Sequence, residues 1–213
     1  AQSARISKVF VAPGNAGTAL EPHVTNVNLS ACDLNGLVSF AEDHQIDFTI
    51  VGPEGPLVAG IVDQFEAKGM YCFGPRAVCA QLEGSKVFTK AFLNRHKIPT
   101  ATYCTFTNIT DAEAYLDRVG APIVVKADGL AAGKGVILAQ TTIEAKLAAR
   151  NMLEGNQFGD AGNRIVIEEF LAGEEASFIV MVDGIDVLPL ASSQDHKAAY
   201  NGDNGPNTGG MGA

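Results

Sequence analysis

The stretch Ile123-Val-Val-Lys-Ala-Asp-Gly-Leu-Ala-Ala-Gly-Lys-Gly-Val-Ile-Leu138 restricts the possible folds more than any other, because it sets a glycine-rich loop between two β-branched runs. A loop that leaves one strand and enters another differs from a Walker A loop, which opens a helix. The residues differ as well. A Walker A motif needs glycine five residues before its Gly-Lys pair and Ser or Thr just after it, whereas Asp128 and Gly135 stand there. Gly129, Gly133 and Gly135 are read as positions where the backbone passes through φ > 0 and brings N–H donors near an anion. Lys126, closing the first strand, and Lys134, within the loop, supply positive charge. Together they have the makeup of a triphosphate clamp.

The rest of the chain supports a globular protein. With 213 residues and 46% apolar content there is room for one or two domains with real cores. A net charge of −9 argues against a nucleic-acid or membrane-surface role, so an anionic ligand must be met by locally placed lysines. The longest apolar runs, such as Phe178 to Val182, fall far short of a membrane span, and the first residues lack signal-peptide architecture; the expected compartment is the cytoplasm. Cys32, Cys72, Cys79 and Cys104 show neither a CxxC pair nor metal-finger spacing and are read as reduced thiols. Asn28-Leu-Ser30 and Asn108-Ile-Thr110 match the glycosylation pattern by coincidence in that setting. Residues 1–5 read as the tail of a helix, and 205–213 as a loop with nothing after it to pack on, so the chain is expected to be a piece of a longer enzyme.

Strand-like runs at 6–12, 46–52 and 70–74 alternate with helical patterns at about 33–44 and 56–68, the rhythm of a parallel α/β sheet. Leu57, Val58, Ile61, Val62 and Phe65 share one helical face, with Pro56 suited to the first helical position and Gly69 to the position past the end. Residues 75–98 read as helical, 99–109 as an extended connector, and a domain boundary falls near 100. Thr110 with Glu113 and Thr141 with Glu144 form capping-box signatures for helices at about 111–119 and 142–154, ended by Gly120 and Gly155. Strands at 122–127, 135–140, 164–169, 175–182 and 186–192 complete a small α+β lobe and begin another sheet.

Other residues offer chemistry of their own. Glu168-Glu-Phe-Leu171 and Gly173-Glu-Glu-Ala-Ser-Phe178 could place backbone groups and a carboxylate along the edge of an adenine and a ribose, or could simply be an acidic strand end. Lys86, in a first helical turn behind Ser85, opposes the helix dipole, which favours an anionic partner, although a lysine there is also an ordinary exposed residue. Pro13-Gly-Asn-Ala-Gly-Thr18 and Gly52-Pro-Glu-Gly-Pro56 follow strands where α/β sheets bind small molecules, although both are also ordinary turn sequences. Asp195-His-Lys197 and the glycine-dense 205–212 stretch can offer charge and backbone N–H groups to a carboxylate or phosphate. His196 has no serine or cysteine nucleophile pattern beside it, so a hydrolytic triad is rejected.

Taken together, KADGLAAGKGV at 126–136, EEFLAGEEASF at 168–178, QDHK at 194–197 and GPNTGGMGA at 205–213, with PGNAGT and GPEGPL in support, resemble the ATP-grasp superfamily and, within it, the phosphoribosylamine–glycine ligase (glycinamide ribonucleotide synthetase) family. The resemblance spans almost the whole chain. It implies an α/β fold in which residues 1–84 form a Rossmann-like pre-ATP-grasp domain, 85–103 a connector helix and linker, 104–172 the nucleotide-binding ATP-grasp lobe and 173–213 the start of the larger lobe. The implied activity is ATP-dependent ligation of glycine to 5-phosphoribosylamine through glycyl phosphate, a step of purine synthesis, with magnesium, or manganese in its place, bridging the phosphates. Carried over by position, Lys86 and Lys126 would contact the nucleotide phosphates or the adenine side, and the loop with Gly129, Gly133, Lys134 and Gly135 would cover the triphosphate. Glu168 and the backbone at Leu171 would read adenine, Glu175 the ribose, and Glu169 would stand with them among the nucleotide-binding residues. Asn15, Gly17, Thr18, Glu54, Asp195, Lys197 and the run Pro206, Asn207, Thr208, Gly209, Gly210, Met211 would line the phosphoribosylamine and glycine side. Lys126, Lys134, Asp195 and Lys197 are the residues expected to act on the reacting groups.

Three departures accompany the resemblance. The family's opening strand and glycine-rich turn would precede Ala1, its magnesium ligands would follow Ala213, and Ala198 stands where members often carry a basic residue. A monomer acting on small molecules is expected, with neither nucleic acid nor membrane as partner, and these residues alone are expected not to turn over. The residues leave open another ATP-grasp carboxylate–amine ligase, sharing the nucleotide lobe but using a different acceptor, and a non-catalytic nucleotide-binding module.

Overall fold

The computed structural model describes residues 1–131, 135–155, 158–202 and 204–212. They fall into two compact units, Ala1–Glu168 and Glu169–Ala213. No helix among the described residues is long and apolar enough to cross a membrane.

The first unit opens with parallel strand pairs. Strand β1 (Val9–Val11) pairs with β2 (Val24–Asn26), and β3 (Thr49–Ile50) with β4 (Cys72–Phe73). Helices α1 (Leu34–Asp43), α2 (Glu54–Val58), α3 (Ile61–Ala67) and α4 (Ala77–Gly84) accompany them. Val38 and Ala41 of α1 meet Ile61, Val62 and Phe65 of α3 in one buried cluster, so the apolar face read from the sequence is the one that packs. The expected single helix over 56–68 is broken, because Gly60 sits at φ 89°, a left-handed geometry that interrupts the hydrogen-bond ladder. Pro56 is accordingly the third residue of α2, while Gly69, at φ 71°, does lie just past the end of α3. The opening residues form a turn, with Ile6 N–H donating to the Ser3 carbonyl at 3.0 Å, where a helix tail was expected.

The remainder of this unit is a four-stranded sheet with the order β5 (Tyr103–Phe106), β8 (Ile165–Glu169), β6 (Ile123–Ala127), β7 (Val136–Ala139). Strands β5 and β8 are antiparallel, as are β6 and β7. Strand alternation sends Ile123, Val125 and Ala127 of β6, with Ile165 and Ile167 of β8, to one face. There they meet Ala112 and Leu116 of α6 (Ile109–Val119) and Ala145, Ala148, Ala149 and Met152 of α7 (Thr142–Leu153). Burying each of the larger side chains contributes about 1.5–3 kcal/mol, and the alanines let α7 lie close to the strands. The capping box of Thr141 and Glu144 forms as expected. For α6 the cap is different: Asn108 Oδ1 accepts from the N–H groups of Thr110 and Asp111 at 2.8 and 3.2 Å, so Thr110 lies inside the helix. The expected helix over 75–98 also divides. Ser85 is extended (φ −141°, ψ 113°), ending α4 and capping α5 (Lys86–Arg95). The connector expected over 99–109 contains β5, which gains its pairing from β8.

In the second unit, β10 (Val180–Val182) and β11 (Val187–Pro189) pair antiparallel. Strand β9 (Ala176–Ser177) pairs with β12 (Ser193–Tyr200), and β12 with β13 (Asn204–Gly212). The 205–212 stretch, expected as a loop, is therefore a strand. Its register shifts between His196 and Ala198 and again between Ala198 and Tyr200 show how a glycine-rich segment is drawn into pairing by its partner. All four cysteines are free.

Candidate functional site

Because odd-numbered residues of β6 face the helices, Lys126 projects from the opposite face of the sheet. Glu168 of β8 lies on that same side and is only 5% exposed. Lys86 and Lys90 are one turn apart on α5 and so share a face of that helix. Lys126 Nζ contacts Glu168 Oε1, and Lys90 Nζ lies 2.5 Å from Oε2. The Lys90 approach is a close ion pair without hydrogen-bond alignment at Oε2. Burial alone would raise the Glu168 pKa, yet Lys126 and then Lys90 pull it below the usual glutamate range. The carboxylate is thus ionised and shared between two ammonium groups.

A second node fixes the start of α5. Asp128 Oδ1 accepts from Ser85 Oγ and from Val87 N–H, each at 2.8 Å, while Oδ2 accepts from Arg164 Nε at 3.0 Å and a terminal guanidinium nitrogen at 2.5 Å. Lys86 N–H donates to the Asp128 carbonyl at 3.0 Å, and Lys86 Nζ to the Gly129 carbonyl at 3.0 Å. The anionic partner that the α5 dipole calls for is therefore Asp128, from within the chain. Burial opposes ionisation of Asp128, but these hydrogen bonds and the guanidinium hold its pKa below the ordinary range. Burial also lowers the Lys86 pKa; Asp128 resists that shift and Lys126 adds to it. Lys86, Lys90, Lys126 and Arg164 outnumber Glu83, Asp128 and Glu168 by one, so this locale is positive within a chain of net charge −9.

The loop glycines act differently from expectation. Gly129 and Gly135 are absent from the positive-φ glycines; their role is close approach, since an added Cβ would lie 2.7 Å from the Ala161 Cβ and 2.6 Å from the Ala131 Cβ, respectively. Gly133 and Lys134 lie outside the described residues. Glu169 ends β8 and is exposed, as is Leu171. In the second unit Lys197 bridges two expected site residues, contacting Asp195 and lying 3.6 Å from Glu175, and its own carbonyl accepts from Thr208 Oγ1 at 3.0 Å. Contact with Asp195 raises the Lys197 pKa. Pro206, Asn207, Gly209, Gly210 and Met211 run along β13.

The turn after β1 is held by its own side chains. Thr18 N–H donates to Asn15 Oδ1 at 3.0 Å, Asn15 N–H to Thr18 Oγ1 at 2.8 Å, and Asn26 Nδ2 to the Asn15 carbonyl at 2.8 Å, with Gly17 capping a short 3-10 turn. Glu54, exposed, opens α2 after β3.

Lys90, Asp128 and Arg164 were not singled out as site residues. For Lys90 a signal was present, the four-residue spacing from Lys86. Among the described residues no group of three or more His, Cys, Asp or Glu is placed to hold a metal ion.

Two family models cover the chain from end to end. Residues 1–83 match the phosphoribosylglycinamide synthetase N domain, and residues 84–213 match the phosphoribosylglycinamide synthetase ATP-grasp (A) domain. The chain belongs to the phosphoribosylglycinamide synthetase family. Similar family members include a phosphoribosylamine–glycine ligase of Salmonella typhi, 67% identical over the whole chain, and one of Escherichia coli strain K12, 66% identical. The chain spans about half the length of these curated relatives, 50% in both cases. Among solved structures, a phosphoribosylamine–glycine ligase of Thermotoga maritima superposes with a TM-score of 0.76 at 30% identity, covering 96% of this chain and 48% of that one. The phosphoribosylglycinamide synthetase fold is α/β of the ATP-grasp type, in keeping with the reading of the sequence.

Proposed function

We propose that this chain supplies the nucleotide-gripping part of an ATP-dependent ligase that joins glycine to 5-phosphoribosylamine, giving glycinamide ribonucleotide, ADP and phosphate. The observation that carries the reading is the pairing of both Lys90 and Lys126 with the single carboxylate of Glu168, with Lys86 near enough to feel the Lys126 charge. An anion of high charge density suits such a locale, and the family's activity supplies one, the triphosphate. The chemistry also requires it. A carboxylate is a poor acyl donor, so a glycine oxygen first takes the γ-phosphoryl group, ADP leaves, and the amine of phosphoribosylamine then displaces phosphate from the acyl carbon.

In this reading Lys126 and Lys86 neutralise charge on the phosphates, with Lys134 as a further cation from the loop. Glu168 holds Lys126 in place, the backbone from Glu169 to Leu171 meets adenine, and Glu175 the ribose. Asn15, Gly17, Thr18 and Glu54 at the strand ends, with Asp195, Lys197 and the 206–211 run, serve the phosphoribosylamine and glycine side. Residues 1–84, 85–103, 104–172 and 173–213 act as substrate domain, connector, nucleotide lobe and the start of the catalytic lobe. Catalysis then rests on positioning and electrostatic stabilisation, with no covalent enzyme intermediate. Magnesium, which the family resemblance implies, finds no ligand cluster among the described residues, and no step is derived through it.

The test is glycine-dependent and phosphoribosylamine-dependent ADP release by the full-length protein, beside its Lys126→Met variant. The variant is expected to lose on the order of a hundredfold or more in kcat/KM, as for removal of a transition-state donor. Wild-type activity in that variant overturns the reading. Nucleotide binding without glycine-dependent ADP release would instead assign a non-catalytic module.

A further inference from the structure

Lys90 is enclosed, its side chain 11% exposed. An ammonium group has three hydrogens to donate, and the structure places an acceptor near each. Glu168 Oε2 lies at 2.5 Å, Thr100 Oγ1 at 2.7 Å and the Ala101 carbonyl at 3.3 Å, while the Tyr103 ring centroid is 5.5 Å away. Two hydrogens go to Thr100 and Ala101, and the ion pair with Glu168 occupies the remaining side of the ammonium group. Lys90 can therefore act on a bound nucleotide through its charge and through Glu168, the group that also engages Lys126.

That arrangement has an electrostatic consequence. One carboxylate facing one ammonium forms a neutral pair and offers little attraction to an anion. Facing two, it leaves one positive charge over. We propose that Lys90 is a positioning residue that neutralises Glu168 from behind, so that Glu168 can fix the Lys126 side chain while the Lys126 charge stays available to a nucleotide phosphate. The inference rests on the ATP-binding reading above and names the residue that keeps that site cationic. A purely structural Lys90, tying α5 to the segment before β5, would make the same contacts but would not govern the charge sensed by a ligand.

The two roles separate in the full-length protein by titration with a non-hydrolysable ATP analogue and by steady-state kinetics. Lys90→Met is expected to weaken analogue binding on the order of tenfold, the scale of one unit charge several ångströms away at an intermediate effective dielectric. KM for ATP should rise while kcat changes little, and Lys90→Arg, which keeps the charge, should retain most of the affinity. The deciding variant is Lys90→Met combined with Glu168→Gln. Removing both members of the pair leaves no unbalanced buried charge and frees the Lys126 cation, so affinity should recover above that of Lys90→Met, short of wild type because Glu168 no longer holds Lys126. Where Lys90→Met alone fails to fold, Lys90→Arg decides: an affinity far below wild type in a folded Lys90→Arg overturns the inference. A double variant as weak as, or weaker than, Lys90→Met overturns the inference, as does wild-type affinity in a folded Lys90→Met. Lys126→Met is the control: wild-type analogue binding there sinks the ATP-site reading, whereas lost binding there without recovery in the double variant sinks only the role of Lys90.

Discussion

At the scale of single residues, Lys86 carries the most direct solution signature. Burial, with the charge of Lys126 added, holds its pKa below the usual lysine range despite Asp128. A phosphate oxygen beside it would favour the ammonium and raise that pKa, so the bound state holds the proton more tightly. Nucleotide affinity should therefore be full below the free-state pKa of Lys86 and weaken as pH rises through it, on the acid side of ordinary lysine titration. Binding of an ATP analogue, measured from neutral pH into the lysine range, should show this decline, and Lys86→Arg should flatten it because guanidinium stays charged. An unchanged profile in Lys86→Arg would count against phosphate contact at this position. Lys86, Lys126 and Glu168 were legible from sequence because each stands at the end or start of an element, where a charged side chain beside glycines or a β-branched run is unusual. Asp128 and Arg164 were not, since their partners are distant in sequence; Ser85 and Asp128 are 43 residues apart.

At the scale of elements, local chemistry was read well where it was self-contained. The capping box at Thr141, the glycine at Gly120 with φ 76° and the alternating β6 all formed as their residues dictate. The α6 cap shows the limit, because Asn108 and Thr110 both suit a helix start and only the backbone path chooses between them. Asn108→Ala should cost about 1 kcal/mol, and Thr110→Ala only a few tenths, as checked by urea unfolding of the full-length protein; equal losses would reassign the cap. Strand β13 was illegible for a different reason. Its glycines and polar residues carry no hydrophobic alternation, so its strand character comes from pairing with β12. The split of the 75–98 helix at Ser85 likewise depends on a carboxylate that arrives from the loop after β6.

At the scale of the whole molecule, the two units differ in how they treat apolar surface. The first builds a core on Phe65, Leu116, Ile165 and Ile167 while leaving Leu20 and Ile143 86% and 81% exposed. Among the described residues of the second, by contrast, no apolar side chain is fully buried, and Phe178, Ile185 and Leu188 are 73%, 93% and 58% exposed. The 213-residue chain by itself should therefore enhance the fluorescence of a hydrophobic dye, and Phe178→Asp with Leu188→Asp should reduce the signal without shifting the thermal midpoint of the Ala1–Glu168 unit. A dye signal unmoved by these changes would place the apolar surface elsewhere. The lysine cluster described above stands against an acidic background, and in a nucleotide-binding protein that contrast would work as an admission rule. Beyond about 8 Å at physiological ionic strength, mobile salt erases the influence of any one charged group. A long polyanion spread over such a surface meets mostly carboxylates and gains nothing from the few ammonium groups it touches. A compact one, small enough to sit wholly within reach of those groups, senses almost only them, so size alone sorts the anions that can stay.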